Sequence, residues 1–227
     1  MKWIVSNHKN FLSGDLIDNY VNQLDCLDLS NTNLVVCPSY KNLSYFKEHS
    51  FFLGSQCFVN VGDLKDNGVK YTIVGHSYRR KKYNETDDVV NEKIRELLEH
   101  NIVPILCIGE EIEQDDVKTV LKNQLEKCLV DISGNVIIAY EPVWAINSGN
   151  VPDYGRLVEI FRYISDIVYS LLGYSAILLY GGSVNDKTII ELEKIKEIDG
   201  YLIGSASVDI EKLKRIIDVV EGKENGN

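Results

Sequence analysis

Three side chains in this sequence stand where an apolar run stops, and their types suit acid–base chemistry. Lys9 follows "KWIVS" within Asn7-His8-Lys9, His76 follows "YTIVG", and Glu141 follows "NVIIAY". A lysine supplies fixed positive charge, a histidine a hydrogen-bond donor to a substrate oxygen, and a carboxylate a proton acceptor. Each also has an ordinary explanation: a solvated lysine, a satisfied turn histidine, a structural ion pair. Glu141 is the sharpest case, because a carboxylate buried behind "VIIAY" is costly without a partner or a task. "HSYRR" (76–80) is expected to open a short helical turn with backbone N–H groups facing the imidazole, which favours neutral histidine.

Two glycine-containing turns, "YGGSV" (180–184) and "LIGSAS" (202–207), are weak signals singly, since most such pairs are only turns. Together they offer backbone N–H groups suited to a phosphate. A cation, a neutral donor, a carboxylate and an anion cradle suit proton abstraction next to the carbonyl of a small phosphorylated substrate. Glu141 would take the carbon-bound proton while His76 and Lys9 stabilise the enediolate oxygen. "PVWAINSG" (142–149) would form a lid that keeps water out.

Eight apolar runs must position these groups: 2–6, 33–38, 51–56, 71–75, 102–109, 135–140, 176–182 and 200–204. They are continuous rather than alternating, as parallel strands buried on both faces require. Helical patterns lie between them, clearest in "TDDVVNEKIRELLEHN", "DDVKTVLKNQLEKCLVD", "PDYGRLVEIFRYISDIVYSLLG" and "DIEKLKRIIDVVEG". Weaker candidates are "SGDLIDNYVNQLD", "SYFKEHS", "GDLKDNG" and "NDKTIIELEKI". The alternation predicts an α/β fold, a single-domain (β/α)8 barrel over 1–221 with a flexible tail at 222–227. A doubly wound open sheet is the alternative, but neither GxGxxG nor GxxxxGK[ST] is present. In a barrel, chemistry belongs at the C-terminal ends of the strands, where Lys9, His76 and Glu141 fall.

The chain has 227 residues, 44% hydrophobic and 26% charged, with a net charge of −10 and a pI near 4.9. That balance argues against nucleic acid or anionic membrane as a general partner, and makes a local positive site necessary for an anionic substrate. No apolar run reaches the length of a membrane span or a signal-peptide core. Five cysteines, an odd number without CxxC, fit free thiols in a reducing compartment, so a cytoplasmic location is expected. The four histidines show no metal-binding spacing, so no metal is expected.

The motifs resemble the triosephosphate isomerase family nearly end to end. The resemblance rests on Asn7 and Lys9 in N-x-K, "GHSxRR" (75–80), "CIGE" (107–110), "AYEPVWAI" (139–146), "YGGSV" and "DGYLIGSAS" (199–207). It implies interconversion of dihydroxyacetone phosphate and D-glyceraldehyde 3-phosphate without metal or organic cofactor. It also implies roles: Glu141 as base, His76 as electrophile, and Lys9 as electrostatic clamp with Asn7 beside it. Ser77 would orient the base in the open state. Ile146, Asn147, Ser183, Gly204 and Ser205 would bind phosphate, largely through backbone N–H groups. Cys107 would pack near the base. Glu85 would pair with Arg79 or Arg80, making the double arginine structural.

The sequence departs from the family pattern at four places. Tyr78 stands where glutamate is usual, close to the catalytic lysine; a tyrosine cannot supply that charge, so Lys9 is expected to be held differently. "NSG" (147–149) replaces the usual "GTG" of the lid, and asparagine tolerates positive φ better than most residues. Ser205 replaces a glycine and is expected to crowd the phosphate. The segment after strand 3 is short, with only "CFVNVGD" (57–63) before "LKDNGVKY", and Cys57 replaces a common asparagine. The family is homodimeric through a long loop there, so a monomer or a non-standard dimer is expected. The alternative to an active isomerase is a weak or inactive barrel relative serving as a binding or structural protein.

Overall fold

The structure is a computed structural model that describes residues 1–9, 16–113, 116–146 and 148–223. Eight parallel strands follow one another around a closed ring. They are β1 (Lys2–Asn7), β2 (Thr32–Cys37), β3 (Phe52–Ser55), β4 (Tyr71–Val74), β5 (Val103–Ile108), β6 (Ile137–Tyr140), β7 (Leu178–Tyr180) and β8 (Gly200–Ile203). The ring closes where Trp3 of β1 pairs with Gly200 of β8 and Ser6 with Ile203.

Both faces of each strand are buried, which is why the strands read as unbroken apolar runs. Val5, Val35, Ile73, Ile105, Ile137, Leu179 and Leu202 point inward and fill the barrel. Ile4, Leu34, Val74, Leu106, Ile138, Tyr180 and Ile203 point outward against the helices. Each such aliphatic side chain, fully buried, contributes roughly 1.5–3 kcal/mol.

The helices are α1 (Leu16–Leu24), α2 (Val61–Asp66), α3 (Ser77–Tyr83), α4 (Asp87–Glu99), α5 (Val117–Cys128), α6 (Tyr154–Leu172), α7 (Ile189–Leu192) and α8 (Ile210–Val220). The four clearest sequence patterns become α4, α5, α6 and α8. Each begins at a side-chain cap: Thr86, Asp116, Asp153 and Asp209 accept backbone N–H groups of the first turn.

The weaker patterns fare unevenly. "SYFKEHS" does not form a helix: the crossover from β2 to β3 is a 3-10 turn, Tyr40–Phe46, and Lys47 after it is extended. Ser39 gives that turn no side-chain cap, and Glu48 takes φ of 61°, which stops any continuation. "NDKTIIELEKI" is α-helical only over Ile189–Leu192. "SGDLIDNYVNQLD" forms α1, its first three residues lying outside the described ones. At the C-terminus Lys223 donates its N–H to the Asp218 carbonyl and sets its ammonium 3.0 Å from Asp28. Residues 224–227 lie outside the described residues.

Candidate active site

The ends of β1, β4, β6, β7 and β8 converge on one cavity of about 260 Å³, lined by Lys9, His76, Glu141, Ile146, Ser183 and Gly204 among others. Groups from five separate stretches of sequence therefore meet in one place. Asn7 and Ser205 line it as well.

Asn7 closes β1, and the chain then turns sharply, with Lys9 at φ of 49°. A non-glycine residue in the left-handed region costs of order 1 kcal/mol or more and is found where the surroundings hold it. Here the Asn7 side chain accepts the Lys9 N–H at 3.4 Å, and Gly204 leaves room for the ammonium: a Cβ there would lie 3.3 Å from Nζ. His8, between them, points the other way. It is 2% exposed, edge-on to Tyr20 and Phe46, and burial lowers its pKa to about 3, so it is neutral packing.

His76 caps α3. Its Nδ1 accepts the Tyr78 backbone N–H at 3.2 Å, as the sequence predicts. An accepting Nδ1 carries no hydrogen, so the neutral ring holds its hydrogen on Nε2. That nitrogen lies 3.4 Å from Glu141 Oε1. Glu141 is 4% exposed, and its other oxygen has no hydrogen-bond partner. The Glu141 backbone is fixed by its N–H bond to Ile108 at 2.7 Å and by Pro142 after it. Cys107 is buried beneath, and burial together with the Glu141 carboxylate holds its thiol well above the ordinary range. It is a packing thiol rather than a nucleophile. Ser77 opens α3 and lines a small crevice shared with Cys107 and Glu141; Glu141 pairs with His76 in this conformation.

Opposite these groups, on the far side of the cavity, lie the turns after β7 and β8. The Ser183 hydroxyl donates to Ala145 at 2.6 Å and accepts the Gly149 N–H at 3.1 Å, joining the β7 turn to the lid. Ile146 ends the 3-10 turn Val143–Ala145 at the lid's base; Asn147 lies outside the described residues. Ser205 is exposed and opens a 3-10 turn, Ser205–Val208.

Tyr78, like Lys9, lines a cavity beside this one. It is 54% exposed, and its hydroxyl accepts from Lys82 at 2.8 Å. The double arginine is tied into the scaffold. Arg79 donates to Glu85 at 2.8 Å, and Lys93 also pairs with Glu85. Arg80 donates to the Gly75 carbonyl at 2.7 Å and to Asp87 at 2.6 Å.

One positioning residue escaped the sequence reading. Glu110 is fully buried and accepts from the Tyr140 hydroxyl at 3.0 Å and the Trp144 indole at 2.9 Å, with Arg156 at 3.4 Å. Burial and that carboxylate raise the Tyr140 pKa, so its hydroxyl stays a donor. The cluster pins the lid's first turn to β5, β6 and α6. The signal was the acid following "CIG" at a strand end. No cluster of three or more His, Cys, Asp and Glu among the described residues could hold a metal ion, and no described helix is long and apolar enough to cross a membrane.

A family model described as triosephosphate isomerase matches residues 2–220. The triosephosphate isomerase of Mycoplasmoides gallisepticum is 42% identical over 172 residues, covering 70% of this chain and 68% of that one. That of Clostridium botulinum is 34% identical over 215 residues, covering 82% and 86%. Among solved structures, the triosephosphate isomerase of Bartonella henselae superposes with a TM-score of 0.86 at 28% identity, over 97% of this chain and 99% of that one.

Proposed function

The chain belongs to the triosephosphate isomerase family, and from that premise we infer that the cavity bounded by Lys9, His76 and Glu141 is its catalytic site. The protein is an isomerase interconverting dihydroxyacetone phosphate and D-glyceraldehyde 3-phosphate. The backbone N–H groups near Ser183, Gly204 and Ser205, with those of the lid at Ile146 and Asn147, receive the phosphate. That end fixes the reacting carbons between Glu141 and His76.

Glu141 removes a proton from C1 of the ketone, and the C–H electron pair moves toward C2, placing negative charge on its oxygen. The Lys9 ammonium and the Nε2–H of His76 stabilise that charge. His76 then relays a proton between the two enediol oxygens, and Glu141 returns its proton to C2. The observation that carries this reading is the 3.4 Å approach of His76 Nε2 to Glu141 Oε1 in the cavity that Lys9 also lines. Charge-assisted bonds normally run near 2.7–2.9 Å, so a substrate oxygen displaces this looser contact readily.

The test is a coupled assay with each triose phosphate on the wild type and on Tyr78→Glu. Wild type is expected to turn over in both directions; no turnover above background from folded protein would reject the reading. Tyr78→Glu should change kcat/KM by less than about threefold, because a charge on this half-exposed side chain is screened by water and already faces Lys82. A larger gain would mean that Lys9 does need a carboxylate there.

We also propose that the protein is a monomer in the cytoplasm. The loop between Ser55 of β3 and Val61 of α2 is too short to reach into a neighbouring subunit, and all five cysteines are free thiols, which suits a reducing compartment. Sedimentation equilibrium at micromolar concentration should give a mass of 25.7 kDa; a tight species of about twice that mass would overturn the monomer.

A further inference from the structure

A second cavity, of about 460 Å³, lies against the first. Asn7, Lys9 and His76 line both. Ser183, Gly204 and Ser205 line only the first, while Gln56, Cys57 and Tyr83 line only the second. The order along the groove is therefore phosphate cradle, reacting centre, second cavity. A triose phosphate seated with its phosphate beside Ser183 and Gly204 would bring its reacting carbons to His76, and a substituent on the carbon farthest from the phosphate would face the second cavity.

The walls of that cavity define what it takes. The guanidinium in its wall is engaged: Arg79 is bound to Glu85 at 2.8 Å and lies over the Tyr83 ring at 4.9 Å. Lys9 serves the reacting oxygen. A second anion would thus find no free positive partner, in a chain whose net charge is −10. What the walls offer is the Gln56 amide, the tyrosine hydroxyls and two aromatic rings, a set matched to a neutral hydroxylated carbon chain.

We propose that this cavity is a tail subsite, and that the protein binds phosphorylated ketoses longer than a triose, extended at the end away from the phosphate. This rests on the catalytic-site reading above, and the experiment separates the two. The probes are 2-phosphoglycolate, which fills only the cradle and reacting centre, and D-erythrulose 4-phosphate, which is glyceraldehyde 3-phosphate with a hydroxymethyl group on its carbonyl carbon. Calorimetry on the wild type should show both binding, each competing with the other. Cys57→Trp, which places an indole in the second cavity, should weaken erythrulose 4-phosphate by about tenfold or more while changing 2-phosphoglycolate less than about twofold. Gln56→Trp serves the same purpose should Cys57→Trp not fold.

The proposal is overturned if 2-phosphoglycolate binds and erythrulose 4-phosphate does not compete, or if the tryptophan weakens both ligands equally. Should neither ligand bind the wild type, the catalytic-site reading falls and the subsite with it.

Discussion

Glu141→Gln is expected to lower kcat by about 10³- to 10⁴-fold, the span associated with losing a positioned general base. The amide keeps the shape of the side chain and cannot accept the carbon-bound proton. Ligand affinity should barely move, because the cradle is built from other strands. Thermal stability should hold or rise. The carboxylate is 4% exposed with one oxygen unpartnered, and a neutral isostere removes the cost of burying that charge. The checks are steady-state kinetics, titration with 2-phosphoglycolate and a melting curve on one preparation. A loss under about tenfold would place the base elsewhere.

Gly109→Ala should damage catalysis and stability together, although Lys9, His76 and Glu141 are all retained. A Cβ at Gly109 would overlap the Glu141 carbonyl oxygen and come 2.5 Å from its carbonyl carbon. Gly109 cannot retreat. Gln124 of α5 grips both sides of its peptide, accepting its N–H at 2.9 Å and donating to its carbonyl at 3.2 Å. The strand end carrying Glu141 must give way instead. A displacement near 1 Å costs about 100-fold in rate. The overpacking costs about 2 kcal/mol, which in a domain of this size lowers Tm by about 6 °C. Kinetics with a melting curve test this; near-wild-type values in both would show that the two strand ends separate freely.

Much of this was legible in the sequence, for identifiable physical reasons. Strands covered on both faces leave unbroken apolar runs, and helices opening on Asp116, Asp153 or Asp209 carry their own start signals. The crossover between β2 and β3 was misread because "SYFKEHS" has helical spacing but no cap, and a short connection tightens into a 3-10 turn. The positions of Lys9, His76, Glu141 and the two glycine turns followed from their places at strand ends. What holds Lys9 did not follow. In the sequence its nearest apparent dependence was Tyr78; in the fold it shares a cavity wall with Tyr78, while Asn7, two residues before it, accepts its backbone N–H and Gly204, just past β8, leaves room for its ammonium. Likewise the Glu110 cluster joins residues 110, 140, 144 and 156, whose partnership only packing creates.

The pairing of Trp3 with Gly200 also bears on when the molecule can first work. Of the eight strands β1 is synthesised first and β8 last, yet the two are neighbours in the ring. Until β8 is made, β1 has an open edge, and Lys9 has no Gly204 beside it. A growing chain that has completed β6 already carries lysine, histidine and glutamate, yet lacks the cradle that would hold a phosphate against them. Contacts of such long sequence separation form slowly, and an unpaired strand edge is exposed to wrong partners meanwhile. Activity in this fold therefore arrives only with the closing of the ring, when the first and last strands meet.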